Sequence, residues 1–450
     1  MEFKISKDFI AQIEQYISEN REQELQNLLQ DIHTADIAEI MEELDSSEAS
    51  YIFHILDSER TAEILLEVDE EIREKIFKDL SPKEIAEELD EMSTDDAADI
   101  IAELPADMKE EVIQELTDDE HAKDIVDLLR YDEDTAGGLM AKELVRVNEN
   151  WNVLTCVREM RVQAENVQRV HSIYVIDDEG RLKGRLSLKD LLVTSTKTPI
   201  SEVYIKKVDF VKVTTPDVEV ARIMQKYDLE AIPVVDELGR LVGRITIDDI
   251  VDVIKEEADK DYQLAAGISQ DVEADDSILD LTKARLPWLV LALLGGFVTV
   301  RVMGIFEPAM KHHGELFFFT PLIAAMAGNV GVQSSAIIVQ GLANNVIMGS
   351  LWNRLVKEVM LTLLNGSILA AILIAGSHFL LDVSYEVGLT VSISLISVIV
   401  IASLLGTFVP ILLNKFKIDP ALATGPFITT SNDICGILIY FSIAKLILGF

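Results

Sequence analysis

Cysteine is scarce: Cys156 and Cys435 are the only two in 450 residues. Two cysteines so far apart make neither a disulfide framework nor a cysteine-based metal knuckle, and they point to a soluble part kept in a reducing compartment. Basic residues are few as well, with 39 Lys and Arg against 78 Asp and Glu and a net charge of −39. That balance excludes nucleic acid as a partner, because phosphates would be repelled, and it disfavours anionic lipid headgroups. Met1–Ile13 is charged and has no apolar core segment, so no signal peptide is expected. Neither a nucleophile–base motif nor a phosphate loop is visible, which sets enzymes aside.

What the sequence does have is a division. The first 281 residues hold 71 acidic and 30 basic side chains, a balance of −41, while Thr282–Phe450 holds seven and nine. On a purely soluble protein the acid would read as a solubilising coat. Here it precedes five long apolar runs, each near the ~20 residues that a spanning helix needs. They are Leu286–Phe306, Leu316–Ala343, Leu355–Leu381, Val387–Leu413 and Ala421–Leu448. Lys283, Arg285, Arg354, Lys357, Lys415 and Lys417 all fall on one side of these spans. The other side carries Lys311 together with Glu307, Glu315, Asp382 and Glu386. The positive side faces the cytoplasm. The expectation is a multi-pass plasma-membrane protein in a lipid bilayer, with its N-terminus in the cytoplasm.

Two of the spans are not ordinary lipid-facing helices. The second contains Ala327-Gly328-Asn329-Val330-Gly331-Val332-Gln333-Ser334 at mid-depth. The fifth opens with Asp419-Pro420 and runs on through Gly425, Pro426, Thr429, Asp433 and Gly436. Polar groups and helix breakers at this depth are tolerated only inside protein or along water. Glycine and serine there can simply mean close helix packing. The amides of Asn329 and Gln333, four residues apart on one helix face, favour a polar path instead. Asp433 is the one carboxylate read as lying well inside an apolar run, and an ionised carboxylate there costs several kcal/mol unless paired or hydrated. With no Lys or Arg near it, it should bind a cation.

The acidic region holds two repeats. Between residues 33 and 130, Leu44, Leu56, Val68, Leu80, Met92, Leu104, Leu116 and Leu128 recur every 12 residues. Ile40, Ile52, Ile64, Ile76, Ile100 and Val112 stand four positions earlier, interrupted by Glu88 and Asp124. Apolar pairs at a spacing of four, separated by turn residues, predict a superhelical stack of short helices. The second repeat has a period of 59. Ile173–Asp190 aligns with Ile232–Asp249, each reading as strand, glycine turn, strand and helix start, with Ser187 or Thr246 as the capping residue. Helix patterns precede each copy at Val153–Gln163 and Val218–Tyr227. The order β-α-β-β-α, with the ending Gly-x-h-x-Gly-x-h-[Ser/Thr]-x-x-Asp, resembles a tandem pair of CBS (cystathionine-β-synthase) domains. In that family the aspartate, here Asp190 or Asp249, can hold a nucleotide ribose, so ATP or another adenine nucleotide at Asp190 and Ser187 is an implied cofactor.

After Asp249 the chain continues as a helix whose Asp248, Asp252 and Asp259, and likewise Asp249 and Glu256, fall at spacings of three, four or seven. Such a strip destabilises its own helix unless a cation screens it, although it can also be an ordinary solvated face.

A helical superhelix at 1–131, a CBS pair at 132–246, an acidic connecting helix at 247–281 and a five-helix pore domain at 282–450 resemble the MgtE magnesium transporters along nearly the whole chain. The fold class is thus multidomain: all-α, then α/β, then transmembrane helices. Gly328–Ser334, Asp419–Leu422 and Asp433–Tyr440 carry the resemblance most closely; Val332 stands where the family usually has Asn. The resemblance implies a homodimer that closes when cytoplasmic Mg²⁺ rises. It implies a pore of Asp433, Gly328, Asn329, Gly331, Gln333, Gly425, Pro426, Thr429 and Gly436. It places regulatory Mg²⁺ at Asp95, Asp96, Asp99, Glu219, Asp228, Asp248, Asp249, Asp252, Glu256, Glu257, Asp259 and Asp261. A carrier for Co²⁺, Mn²⁺ or Zn²⁺ and a non-conducting membrane sensor are the alternatives. The shortage of His and Cys near Asp433 argues against soft metals.

Overall fold

The computed structural model describes residues 5–449 apart from 165, 166, 168, 171, 271, 273–275, 308–312, 344–349 and 424. Lys311, named above, lies outside the described residues. The chain divides into two units, Met1–Ile254 and Lys255–Phe450.

The first unit starts with ten helices among the described residues. They are α1 (Lys7–Ser18), α2 (Glu22–Leu29), α3 (Thr34–Glu42), α4 (Ser46–Ile55) and α5 (Ser58–Glu67), followed by α6 (Glu70–Asp79), α7 (Pro82–Leu89), α8 (Thr94–Glu103), α9 (Ala106–Glu115) and α10 (Asp119–Leu128). Helices this short are marginal alone, so burial must hold them. Asp45 and Ser81 start α4 and α7 with reciprocal capping boxes. Each apolar stripe then packs on the helix two places further along: α3 on α5, α4 on α6, α5 on α7, α7 on α9 and α8 on α10. Ile40, Ile52, Ile64, Ile76, Ile100 and Val112, the expected stripe, are all buried. Hydroxyls bridge the same steps: Thr34 Oγ1 donates to Glu63 at 2.9 Å and Ser50 Oγ to Asp79 at 3.0 Å. Glu88, which interrupts the apolar repeat, accepts such a bond from Thr61.

Two three-stranded sheets follow. Strands β1 (Val145–Asn148), β2 (Ile173–Ile176) and β3 (Leu182–Leu186) form one, with α11 (Val153–Gln163) and α12 (Leu188–Val193). Strands β4 (Val211–Lys212), β5 (Ala231–Val235) and β6 (Leu241–Thr246) form the other, with α13 (Asp217–Tyr227) and α14 (Ile247–Ala266). In each, the first two strands are parallel and the last two antiparallel, with an irregularity at Val175/Ile176 or at Val234/Val235. The glycines of the repeated motif have separate tasks. Gly180 and Gly239 turn the hairpins at φ 79° and 78°, where a side chain would be strained. A Cβ on Gly184 or Gly243 would collide with the Ile205 or Ala141 carbonyl of the segment paired alongside. The two hairpins also bond each other: Leu182 N–H donates to Gly239 O and Leu241 N–H to Gly180 O, both at 3.0 Å. Ser187 stands at the start of α12, but its hydroxyl makes no capping bond. In the second copy Thr246 stands at the matching place, and its N–H and Oγ1–H donate to the carboxylate of Asp249, three residues on, at 2.9 Å and 2.8 Å.

The second unit contains five helices long and apolar enough to cross a membrane. They are α15 (Ile278–Ile305), α16 (Thr320–Ala343, preceded by a single turn at Glu315–Phe318), α17 (Leu351–Phe379), α18 (Tyr385–Lys415) and α19 (Gly425–Leu448). Three starts differ from the apolar runs. Helix α15 begins eight residues before Leu286, because Ser277 caps it and Lys283 pairs with Asp280 at 2.7 Å. Helix α17 begins at Leu351, four residues before Leu355. Helix α19 begins at Gly425 rather than Ala421, because Pro420–Ala423 forms a 3₁₀ turn and Gly425 has φ 44°. The most buried helix is α18, which packs on α16, α17 and α19. Its Thr390, Ser392 and Ser394 return their hydroxyls to carbonyls one turn back, so these three pack closely with their hydroxyls satisfied.

Candidate permeation site and acidic sensor

Asp433 lies a little over two turns into α19, half-buried. Among the described residues it makes no hydrogen bond or ion pair. It lines two cavities. One, of about 360 Å³, is walled by Gly328, Asn329, Val332 and Gln333 of α16 together with Thr429 and Asp433. The other, of about 490 Å³, is walled by Gly295, Gly296 and Thr299 of α15 together with Gly425, Pro426, Thr429 and Asp433. Thr429, one turn before Asp433, is shared by both, and its hydroxyl is held on Gly425 O at 2.9 Å. Six of the other eight expected pore residues therefore converge on Asp433. The first span, which carried no site signal beyond the glycine pair Gly295-Gly296, forms one of the walls.

Gly331 and Gly436 do not line either cavity. A Cβ on Gly331 would overlap the carboxamide of Asn432, and one on Gly436 would press on Val398 and Ala327. Both are close-packing positions, set by helix rotation that composition does not reveal. Asn432 is 1% exposed; its Nδ2 donates to Ala327 O at 3.3 Å and, among the described residues, its Oδ1 has no partner. Glu358 is a second carboxylate inside a span. The early start of α17 puts it two turns into that helix, where it accepts from Ser334 of α16 at 2.6 Å.

The end of α14 packs against the start of α19. A Cβ on Gly425 would lie 2.5 Å from Ala265 O, and one on Gly267, at φ 82°, would lie 2.5 Å from Pro426. Beside this contact Asp261 is pushed above its ordinary range, first by burial and then by the charge of Asp419. Asp419 itself accepts from Ala421 N–H at 2.8 Å.

In the first unit, Asp95 and Asp96 open α8 and meet Asp248 and Asp249 at the start of α14. Burial raises Asp95, Asp96 and Asp249, and charge adds to it: Asp96 acts on Asp95, Asp249 and Asp248 on Asp96, and Asp95 on Asp249. Asp99 is pushed up to about 7 by the same surroundings, although its side chain still reaches water. The Ser93 hydroxyl lies between Asp95 and Asp96, 2.6 Å from the latter. Glu143, another neighbouring acid, accepts from Thr94 N–H at 3.0 Å and Oγ1–H at 2.9 Å, while Lys142 pairs with Asp127 at 2.6 Å.

The remaining expected metal ligands are dispersed. Glu219 pairs with Arg222 on its own helix. Asp228 ends α13 in the left-handed conformation at φ 51°. Asp252, Glu256 and Asp259 are exposed and Glu257 is half-exposed along α14. Among the described residues, no three His, Cys, Asp or Glu side chains close on a point that could hold a metal ion. Asp190 is half-exposed on α12, and among the described residues its carboxylate makes no hydrogen bond, unlike Asp249.

Three family models match the chain. They are a divalent cation transporter domain at residues 320–443, an MgtE intracellular N domain at 32–134 and CBS domains at 136–195 and 200–256. The magnesium transporter MgtE of Thermus thermophilus is 38% identical over 329 residues, covering 71% of this chain and 72% of that protein. The magnesium transporter MgtE of Bacillus subtilis is 35% identical over 318 residues, covering 70% of each. Among solved structures, the cytosolic domain of the Mg²⁺ channel MgtE in complex with ATP aligns at 36% identity with a TM-score of 0.51. That match covers 54% of this chain and 99% of that domain.

Proposed function

Because the chain belongs to the MgtE family, and so carries Mg²⁺ through a multi-pass membrane domain rather than catalysing a reaction, we propose that Asp433 is its permeation site and that its acidic cytoplasmic faces sense Mg²⁺. The observation that carries this reading is the lone carboxylate of Asp433, shared by both cavities and given no counter-charge among the described residues. Mg²⁺ sheds water reluctantly and is usually held by one or two carboxylates plus retained waters. Six waters occupy on the order of 200 Å³ at liquid density. Each cavity has room for such an ion. The amides of Asn329 and Gln333 and the Thr429 hydroxyl suit its water shell.

A second copy of the chain would bring a second Asp433. Leu188, Leu192 and Val193 on α12, 57%, 79% and 74% exposed, are an apolar face suited to pairing two CBS modules. Asp190, its carboxylate unengaged, would hold a nucleotide ribose there, while Asp249 is already committed.

Closing follows from charge. Without Mg²⁺, Asp95 and Asp96 repel Asp248 and Asp249, and Asp261 repels Asp419. Mg²⁺ between them turns repulsion into a bridge. At Asp261 and Asp419 that bridge holds the end of α14 against Gly425 and Pro426, at one of the cavity walls. This is a two-state element biased by differential cation binding. The test is Mg²⁺ influx into liposomes for the native protein, for Asp433→Ala and for Asp261→Asn. Loss of flux is expected in the first variant, and flux that no longer falls as cytoplasmic-side Mg²⁺ rises is expected in the second. Unchanged flux in Asp433→Ala would remove the permeation site, and normal closure in Asp261→Asn would remove the bridge.

A further inference from the structure

We propose that Asn432 is a positioning residue for magnesium permeation: its carboxamide, seated on Gly331, fixes the spacing between α16 and α19 and so the width of the cavity that Asp433 faces. The inference rests on the reading of Asp433 as the permeation site. Successive residues on a helix point about 100° apart, so neighbouring side chains serve different faces. Asp433 looks into the cavities, while Asn432 enters the seam between the two helices, where it is 1% exposed.

Packing alone does not account for an asparagine there. Its Nδ2 donates to Ala327 O at 3.3 Å, but its Oδ1 is buried with no partner among the described residues. A buried acceptor left unsatisfied costs roughly 1–3 kcal/mol, whereas leucine would fill a similar volume without that cost. What the amide adds is direction, since its one bond fixes both the distance and the rotation of α16. Gly331 is the complementary surface. A Cβ there would overlap the carboxamide, and a Cβ on Gly406 of α18 would overlap Gly331 O from the other side. The back of α16 is thus gripped at Ala327 and Gly331 by α19 and at Ser334 by Glu358 of α17. Its front, one residue out of step at Gly328, Asn329 and Val332, is the cavity wall. A shift at the back moves the front by the same amount.

Mg²⁺ demands a near-ideal octahedral water shell, whereas Ca²⁺ accepts a larger and more variable one. Cavity width therefore reads out as selectivity. The experiment measures Ca²⁺ and Mg²⁺ influx in the same liposomes containing the full chain. The ratio does not depend on how much protein folds. Asn432→Leu is expected to raise the Ca²⁺-to-Mg²⁺ ratio roughly three- to tenfold, the range that one hydrogen bond spans. Asn432→Ala combined with Gly331→Ala trades the carboxamide for a methyl in the same space, and it should show the same rise if the leucine variant does not fold. A ratio equal to native in either variant, with both fluxes lowered in proportion or unchanged, would overturn the proposal. Asp433→Ala in the same assay separates the two failures. Persistent Mg²⁺ flux there removes the permeation reading, while lost flux with a native ratio in the Asn432 variants removes only the positioning role.

Discussion

Asp433 stands alone in a membrane helix among glycines, hydroxyls and amides, whereas Asp95, Asp96 and Asp249 crowd together on the soluble unit. Both settings suit the same ion, but they ask different things of it. A single carboxylate facing retained waters binds weakly enough for the ion to leave, which conduction requires. On the proposed reading, several carboxylates whose charge is penalised by burial would bind it strongly enough to respond to its concentration. If so, the number of charges per site separates passage from sensing, and each side of that contrast can be altered without the other.

The largest effect is expected at the lone site. Asp433→Asn should reduce Mg²⁺ flux on the order of 100-fold, about the loss of one charge-assisted contact. The rise in thermal unfolding midpoint that Mg²⁺ gives the full chain in detergent should be unaltered. A loss of both would mean that the two settings are one. The next effect is the mirror image. Asp95→Asn with Asp249→Asn should raise the Mg²⁺-free unfolding midpoint by roughly 3–6 °C and shrink the further gain from Mg²⁺. Flux at low Mg²⁺ should persist.

The pH dependence is smaller and has a definite sign. The folded protein holds the protons of Asp95, Asp96, Asp99 and Asp249 more tightly than the unfolded chain does, so it binds more protons between the two pKa values. Stability therefore falls as pH rises through that window. In Mg²⁺-free buffer the unfolding midpoint should decline from pH about 4 to about 7. Saturating Mg²⁺ should flatten the decline, and a midpoint that instead rises with pH would contradict the crowding. The smallest effect is expected at Glu358. Glu358→Gln keeps an acceptor for Ser334, so Mg²⁺ flux should drop only about twofold, and Glu358→Ala should drop it further.

Much of this was legible from spacing. The period of 12 placed the buried stripe of the helical stack, and the period of 59 placed both sheets, because each repeat is a single structural unit written more than once. Asp433 was legible because a carboxylate inside an apolar run has few explanations. The pairing of Asp261 with Asp419 was not, since the two are joined only by the folding of α14 back against α19. Gly331 and Gly436 were read as pore residues because glycine records only that something comes close, not whether it is an ion or Asn432. The depth of Glu358 is not legible in the sequence, because it depends on where α17 begins, four residues before its apolar run. Ser187 matched a capping pattern that its own hydroxyl does not complete, whereas Thr246 in the second copy bonds Asp249.

The two hairpins that bond through Gly180 and Gly239 have a mechanical consequence. Their paired bonds close a ring between the sheets, so neither sheet can slide along the other without breaking both bonds at once. Torque applied to one copy is therefore delivered to its twin as rotation rather than absorbed as slip. The second hairpin ends in β6, and β6 runs directly into α14, so the ring reaches the start of that helix.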